Sequence, residues 1–293
     1  MAVVADASVP TAIGAAVPRA QRRGRARQVV STLAVGWLVL VVLAAIGADW
    51  LPLSDPNEVQ AKNALQSPSW SHWLGTDGLG RDQLSRLVHG AQVSVMVSVA
   101  AVAVGLVVGG GLGLLAGYAR GRVEGLVLAI SDVVLAFPGL VLLLVMLAYV
   151  GRSLMAIALI IGVLSIPLYA RVARANTLSV TEREFVRAAT VVGASPIRVL
   201  LREVLPNIVL PLTAYAFVAL GRVIVLEGSL AFLGLSVKPP DPTWGQMIAD
   251  SKRHVSDTVW PVVPASLAMF LTVLSLSLVG DRMRGRIDVR GGE

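Results

Sequence analysis

The chain has 293 residues, 55% of them apolar and only 15% charged, with a mean hydropathy of +0.75. Soluble globular chains carry about 25% charged residues, so this composition excludes an ordinary water-soluble domain and calls for lipid. Cysteine is absent, which excludes disulfides and thiolate metal sites, and in a membrane protein the net charge of +7 belongs to loops on the inner side rather than to nucleic acid.

A spanning helix needs about 20 mostly apolar residues. Residues 1–28 are rich in Ala and Arg, with Asp6 as their acid, and read as a disordered cytoplasmic tail. An organelle transit peptide has a similar composition. The first span follows at 29–48, then an extracytoplasmic segment at 49–88. Further spans are expected at 91–118, 126–150, 154–170, 206–230 and 259–280. The region 89–285 reads as one core, and 286–293 as a cytoplasmic tail. Lys and Arg set the orientation. Arg19, Arg22, Arg23, Arg25, Arg27, Arg120, Arg122, the arginines from Arg171 to Arg202, and Arg282, Arg284, Arg286 and Arg290 fall on one side. The other side holds the smaller group Lys62, Arg81, Arg86, Arg152, Lys238, Lys252 and Arg253. Six spans with both termini inside fit this bias.

The second span carries Gly105, Gly109, Gly113 and Gly117 at a spacing of four. Small residues so placed let helix backbones approach in lipid. They predict a packing seam, either within the chain or against a partner. No Lys-Ser or Lys-Thr follows them, so they form no phosphate loop, and no nucleotide-binding motif occurs elsewhere. Pro138 predicts a kink in the third span. Asp132, Arg222 and Glu227 lie within spans, where an ionised group costs about 2.5–3.5 kcal/mol at the bilayer centre. Each is a candidate pore or gate position, or a group with a structural partner.

Residues 171–205 form the longest inner loop. Thr181 and Glu184 have capping-box spacing and predict a helix start. Phe185, Ala188, Ala189 and Val192 share a face at helical spacing. Gly193 suits a left-handed helix stop. Ser195 and Pro196 suit N-cap and N1 of a second helix, with Ile197, Leu200, Leu201, Val204 and Leu205 as its apolar face. The expectation is two short amphipathic helices with a Gly193–Ala194 turn. Such an element docks in a groove of a soluble partner or lies flat on headgroups. A DNA-binding helix-turn-helix has a similar turn, but the flanking spans keep this one from a duplex.

Three stretches together resemble the inner-membrane permeases of ABC importers of the dipeptide/oligopeptide class. His72–Arg86, HWLGTDGLGRDQLSR, is similar to the family's LGTD..GRD..SR signature, and Ala116–Tyr118 and Asp132 with Ala136–Pro138 to its AGY and D...AFP patterns. Arg187–Asn207 resembles its coupling signature through Ala188, Ala189, Gly193, Leu205 and Pro206, with Arg187 in place of Glu. Glu227–Gly245 resembles EASLSFLGLG..PP.P.WG, with Gly228 and Ser236 as departures, and Gly280–Asp288 resembles the closing GD.LRD.LD.

The resemblance implies an all-α, six-span type I importer permease fold. Arg187, Ala188, Ala189, Gly193, Ala194, Ser195, Pro196, Leu205 and Pro206 would couple to an ATPase. It implies a bacterial inner-membrane location and four kinds of partner: a homologous second permease, two ATPases, an outer substrate-binding protein and the bilayer. The chain itself would be non-catalytic and bind no cofactor, ATP and Mg being held by the ATPases. Dipeptides or oligopeptides are the expected cargo, with nickel chelates, glutathione or haem as alternatives within the class. A secondary transporter would show internal repeats, and none is visible. A membrane-anchored regulator would need a soluble domain, and no segment is long enough.

Overall fold

The computed structural model describes residues 17–238 and 240–290, with side chains described for 28–238 and 240–285. Nine helices order the described chain: α1 (Val17–Gly47), α2 (Gln83–Ala119), α3 (Gly121–Ala136), α4 (Gly139–Val150), α5 (Leu154–Thr181), α6 (Glu184–Val191), α7 (Pro196–Phe232), α8 (Trp244–Ser251) and α9 (Val263–Arg290). Among the described residues one isolated bridge, Thr76 with Asp82, is the extent of β pairing. Five helices are long and apolar enough to cross a bilayer, and the bent pair α3–α4 makes a sixth span.

Several expected boundaries move. Residues 1–16 of the expected tail lie outside the described residues, and α1 already begins at Val17. The outer segment ends at Asp82, whose carboxylate accepts from Ser85 N–H and so caps α2. The third span is bent by 86°. Phe137 sits extended at φ −87°, ψ 141° before Pro138, as steric conflict with the proline ring demands. The fourth span runs on to Thr181 rather than 170. The last begins at Val263 rather than 259 and continues to Arg290, through most of the expected tail.

The glycine seam lies within the chain. A Cβ on Gly105 or Gly109 would meet Tyr169 at 2.7 Å. One on Gly113 would meet Ala173 Cβ at 2.6 Å, and one on Gly117 would meet Thr177 Cβ at 2.7 Å. Their partners all belong to α5, and Gly162 of α5 answers in kind against Val104. Positions four apart drift by about 40° around an α-helix at each step. The wide π turn at Gly105–Gly109 takes back part of that drift. Val97, Ala101, Leu143, Leu147, Ile157, Ile161 and Tyr169 form the core beside the seam.

Gly113→Val should therefore overpack the seam and destabilise the bundle by about 1–3 kcal/mol. Gly111, two residues away, has open space around its Cα, and Gly111→Val should leave the core contacts intact. Thermal unfolding of both variants in detergent micelles checks the contrast.

Candidate coupling elbow and the polar contacts around it

α5 ends at Thr181, whose hydroxyl donates back to Leu178 O at 2.9 Å. The expected capping box is thus absent, because Thr181 is still inside the preceding helix. The N-cap of α6 is Arg183, with Glu184 in its first turn. α6 ends in a Schellman turn: Ala194 N–H donates to Ala189 O at 3.1 Å and Gly193 N–H to Thr190 O at 3.0 Å. Gly193 has φ +89°, as the helix stop requires. Ser195 is an N-cap by backbone without a side-chain bond, and Pro196 stands at N1.

The second short helix is not separate. It runs through a π turn at Leu200–Val204 into the fifth span, one helix from Pro196 to Phe232. Pro206 accounts for that turn: it lacks an N–H and crowds the carbonyl four residues earlier, and a wider turn relieves both. The coupling loop therefore shrinks from 171–205 to an elbow at 182–195 between two long spans.

The elbow's apolar faces also differ from the helical-spacing reading. Val186, Val199, Leu200 and Val204 are buried against Leu114, Ala173 and Val180, with Ala189, Ala194 and Leu205 half-buried beside them. Val191 and Val192 are 86% and 88% exposed and Ile197 is 71% exposed. Phe185, Arg187, Ala188, Ser195, Leu201 and Pro206 are also exposed. The inner side is anchored to the bundle, and the outer side presents an apolar surface with an arginine beside it.

Ion pairs tie the same end together. Arg174 Nε donates to Glu124 at 2.6 Å, Arg171 pairs with Asp132, and Arg120 reaches Glu182 at 3.5 Å. Asp132 is 63% exposed, so its pair is a bridge from α3 to α5 rather than a buried charge. Arg171, the partner of Asp132, and Arg174, the partner of Glu124, stand three apart on α5 and were hidden in the sequence because they lay within the expected loop.

Glu227 and Arg222 part company. Glu227 is 1% exposed and accepts from Ser236 Oγ. A second Schellman turn, Leu235 N–H to Leu230 O and Gly234 N–H to Ala231 O, folds the chain back so that Ser236 reaches it. Arg222 is exposed on the face of α7 that carries Val225 and Ser229. An arginine so placed on a spanning helix calls for water or a partner subunit. The chain beyond Ser236 is anchored at Trp244. Trp244 is buried, donates from Nε1 to Leu87 O at 3.0 Å, and donates from its backbone N–H to Ser94 Oγ at 3.2 Å. Gly228 and Gly245 pack backbone to backbone.

The His72–Arg86 signature builds a clasp at this opposite end. Asp77 accepts from Arg81 Nε at 2.6 Å and from the N–H groups of Leu79 and Arg81. Arg86, 1% exposed, donates to Pro56 O at 3.0 Å, and Arg81 also reaches Asp250 of α8 at 3.4 Å. The sequence analysis gives 49–88 only as an extracytoplasmic segment. The densely polar motif before a span was the signal for this clasp.

The model of the family described as "Binding-protein-dependent transport system inner membrane component" matches residues 109–290, more than half of the chain and all of the elbow. The chain belongs to that family. The permease is 36% identical over 258 residues to the di/tripeptide transport system permease protein DppC of Pseudomonas aeruginosa, covering 86% of this chain and 85% of the relative. It is 37% identical over 268 residues to the glutathione transport system permease protein GsiD of Escherichia coli O157:H7, covering 91% and 88%. Among solved structures, an inward-facing MetNI methionine ABC transporter chain matches with a TM-score of 0.56 at 19% identity, covering 69% of this chain and 96% of that one. This chain is thus a multi-pass inner-membrane permease subunit of an ABC importer of the dipeptide/oligopeptide class, with the importer permease fold.

The Glu227 clasp yields a prediction. Ser236→Ala leaves a buried carboxyl without its donor and should destabilise the permease by about 1–3 kcal/mol. Ser229→Ala, on the exposed face of the same helix, should stay within about 0.5 kcal/mol. Melting curves of the two variants in micelles give the comparison.

Proposed function

We propose that this permease carries short peptides across the inner membrane, driven by partner ATPases that dock on the 182–195 elbow. The observation that carries the reading is the elbow's two-sidedness. Val186, Val199 and Val204 fix it to the bundle, while Val191, Val192 and Ile197 remain exposed on its outer side. An amphipathic helix with such a free apolar face suits a groove in a soluble partner. The elbow end bears Arg120, Arg122, Arg171, Arg174, Arg183, Arg187, Arg198 and Arg202, which supports a cytoplasmic position and both termini inside.

Transmission follows from connectivity. α5 enters the elbow through the ion-paired Glu182, and α7 leaves it without a break. An ATPase that shifts the elbow therefore tilts two long spans together, and coupling needs just such an element with two positions. ATP and Mg would be held by the ATPases and not by this chain. A second, homologous permease would cover the exposed face with Arg222, and an outer binding protein would supply substrate. Peptide cargo is supported by the di/tripeptide permease among the relatives. A glutathione permease stands equally near, and glutathione is itself a small peptide, so both favour a peptide-bond-containing substrate.

Two variants test the docking. Gly193→Val strains the left-handed turn by about 1–2 kcal/mol and re-aims Pro196. In reconstituted complexes it should preserve assembly in the membrane and ATP hydrolysis while abolishing peptide uptake. Ile197→Glu should weaken association with the ATPases. Normal uptake by both variants would contradict the role.

A further inference from the structure

Of the five unbroken spans α1 is the least buried, and it packs on α9. Trp37 Nε1 donates to Thr272 Oγ1 at 3.0 Å and sets the spacing of the two helices. Beside that contact runs an open groove of about 650 Å³. Val30, Leu33, Trp37 and Leu40 form one wall and Leu271, Leu274 and Leu278 the other. Gly36 also lines it, and a Cβ there would have nothing within 4 Å, so the groove is deepened by a missing side chain.

Length and charge identify an occupant. From Val30 to Leu40 the groove runs roughly 15 Å along the helix, about half of a 30 Å hydrocarbon core. It therefore serves one leaflet, whereas a partner helix would need the full thickness. Its mouth lies at the elbow end of the bundle. Arg282 stands one turn beyond Leu278 on the same face of α9 and bridges to Ser31 on α1. A cation at headgroup depth above an apolar slot complements a lipid with an anionic head.

We infer that the groove between α1 and α9 is a binding site for an anionic phospholipid. One acyl chain lies along Leu33, Gly36 and Leu274, and the phosphate meets Arg282. Groove contacts hold the chain, and Arg282 selects the head.

The test uses the full chain in neutral detergent, titrated with dioleoylphosphatidylglycerol or dioleoylphosphatidylcholine and read as one-to-one adducts by native mass spectrometry. Wild type should retain phosphatidylglycerol in preference to phosphatidylcholine. Arg282→Gln should weaken that retention about fivefold, the worth of one basic side chain near an anionic surface, and Arg282→Lys should restore it. Gly36→Leu fills the groove and should lose both adducts with an unchanged melting temperature. Leu274→Trp, from the facing helix, should do the same and serves if Gly36→Leu does not fold. Equal retention of both lipids, no wild-type adduct, or full retention by the groove-filling variants would overturn the inference. So would cross-linking of Leu33→Cys to a second permease in the reconstituted importer, which would give the groove to a protein.

Discussion

Close contact between α2 and α5 governs the rest of this molecule. Lipid offers helices no hydrophobic reason to associate, so they hold by shape. Gly105, Gly109, Gly113 and Gly117 let the α2 backbone touch Tyr169, Ala173 and Thr177. That contact fixes the direction of α5 along its length, and so fixes where Glu182 leaves the bundle. The elbow inherits its position from a seam that begins well inside the membrane span.

Polar groups mark the two ends and serve different purposes. At the elbow end, Glu124, Asp132 and Glu182 brace α3 and the α2–α3 turn against α5. These pairs are half-exposed or exposed, so each contributes little alone, and their value is registration. At the other end, Asp77, Arg81, Arg86, Glu227 and Ser236 are buried or nearly so. A broken partner there leaves an unpaired polar group in an apolar setting, which is far costlier. One end of the bundle is thus stiffly clasped and the elbow end lightly braced.

Much of this was legible in the residues. Six apolar runs, a basic bias and a four-residue glycine period give the fold class, and Gly193 gives the elbow its turn. Three features were not legible. Thr181–Glu184 has capping-box spacing, but tertiary packing of Val180 on the bundle keeps Thr181 helical. Ile197 and Leu201 share the expected apolar face with Leu200 and Val204, yet only Leu200 and Val204 are buried, together with Val199, since these residues are the first turns of α7 and take their rotation from it. The Glu227–Ser236 contact closes across a turn of nine residues, a geometry no periodicity reports. The family resemblance covered these stretches without predicting their contacts.

The central claim is that the exposed side of the elbow sits in an ATPase subunit. Because the chain lacks cysteine, a single cysteine at Val192 gives an unambiguous probe. In membranes containing the assembled importer, Val192→Cys should form a bifunctional cross-link to an ATPase subunit, with a yield that changes when ATP is bound. A cysteine there that reacts only with reagents from the outer side, or that links to the substrate-binding protein, would contradict the account.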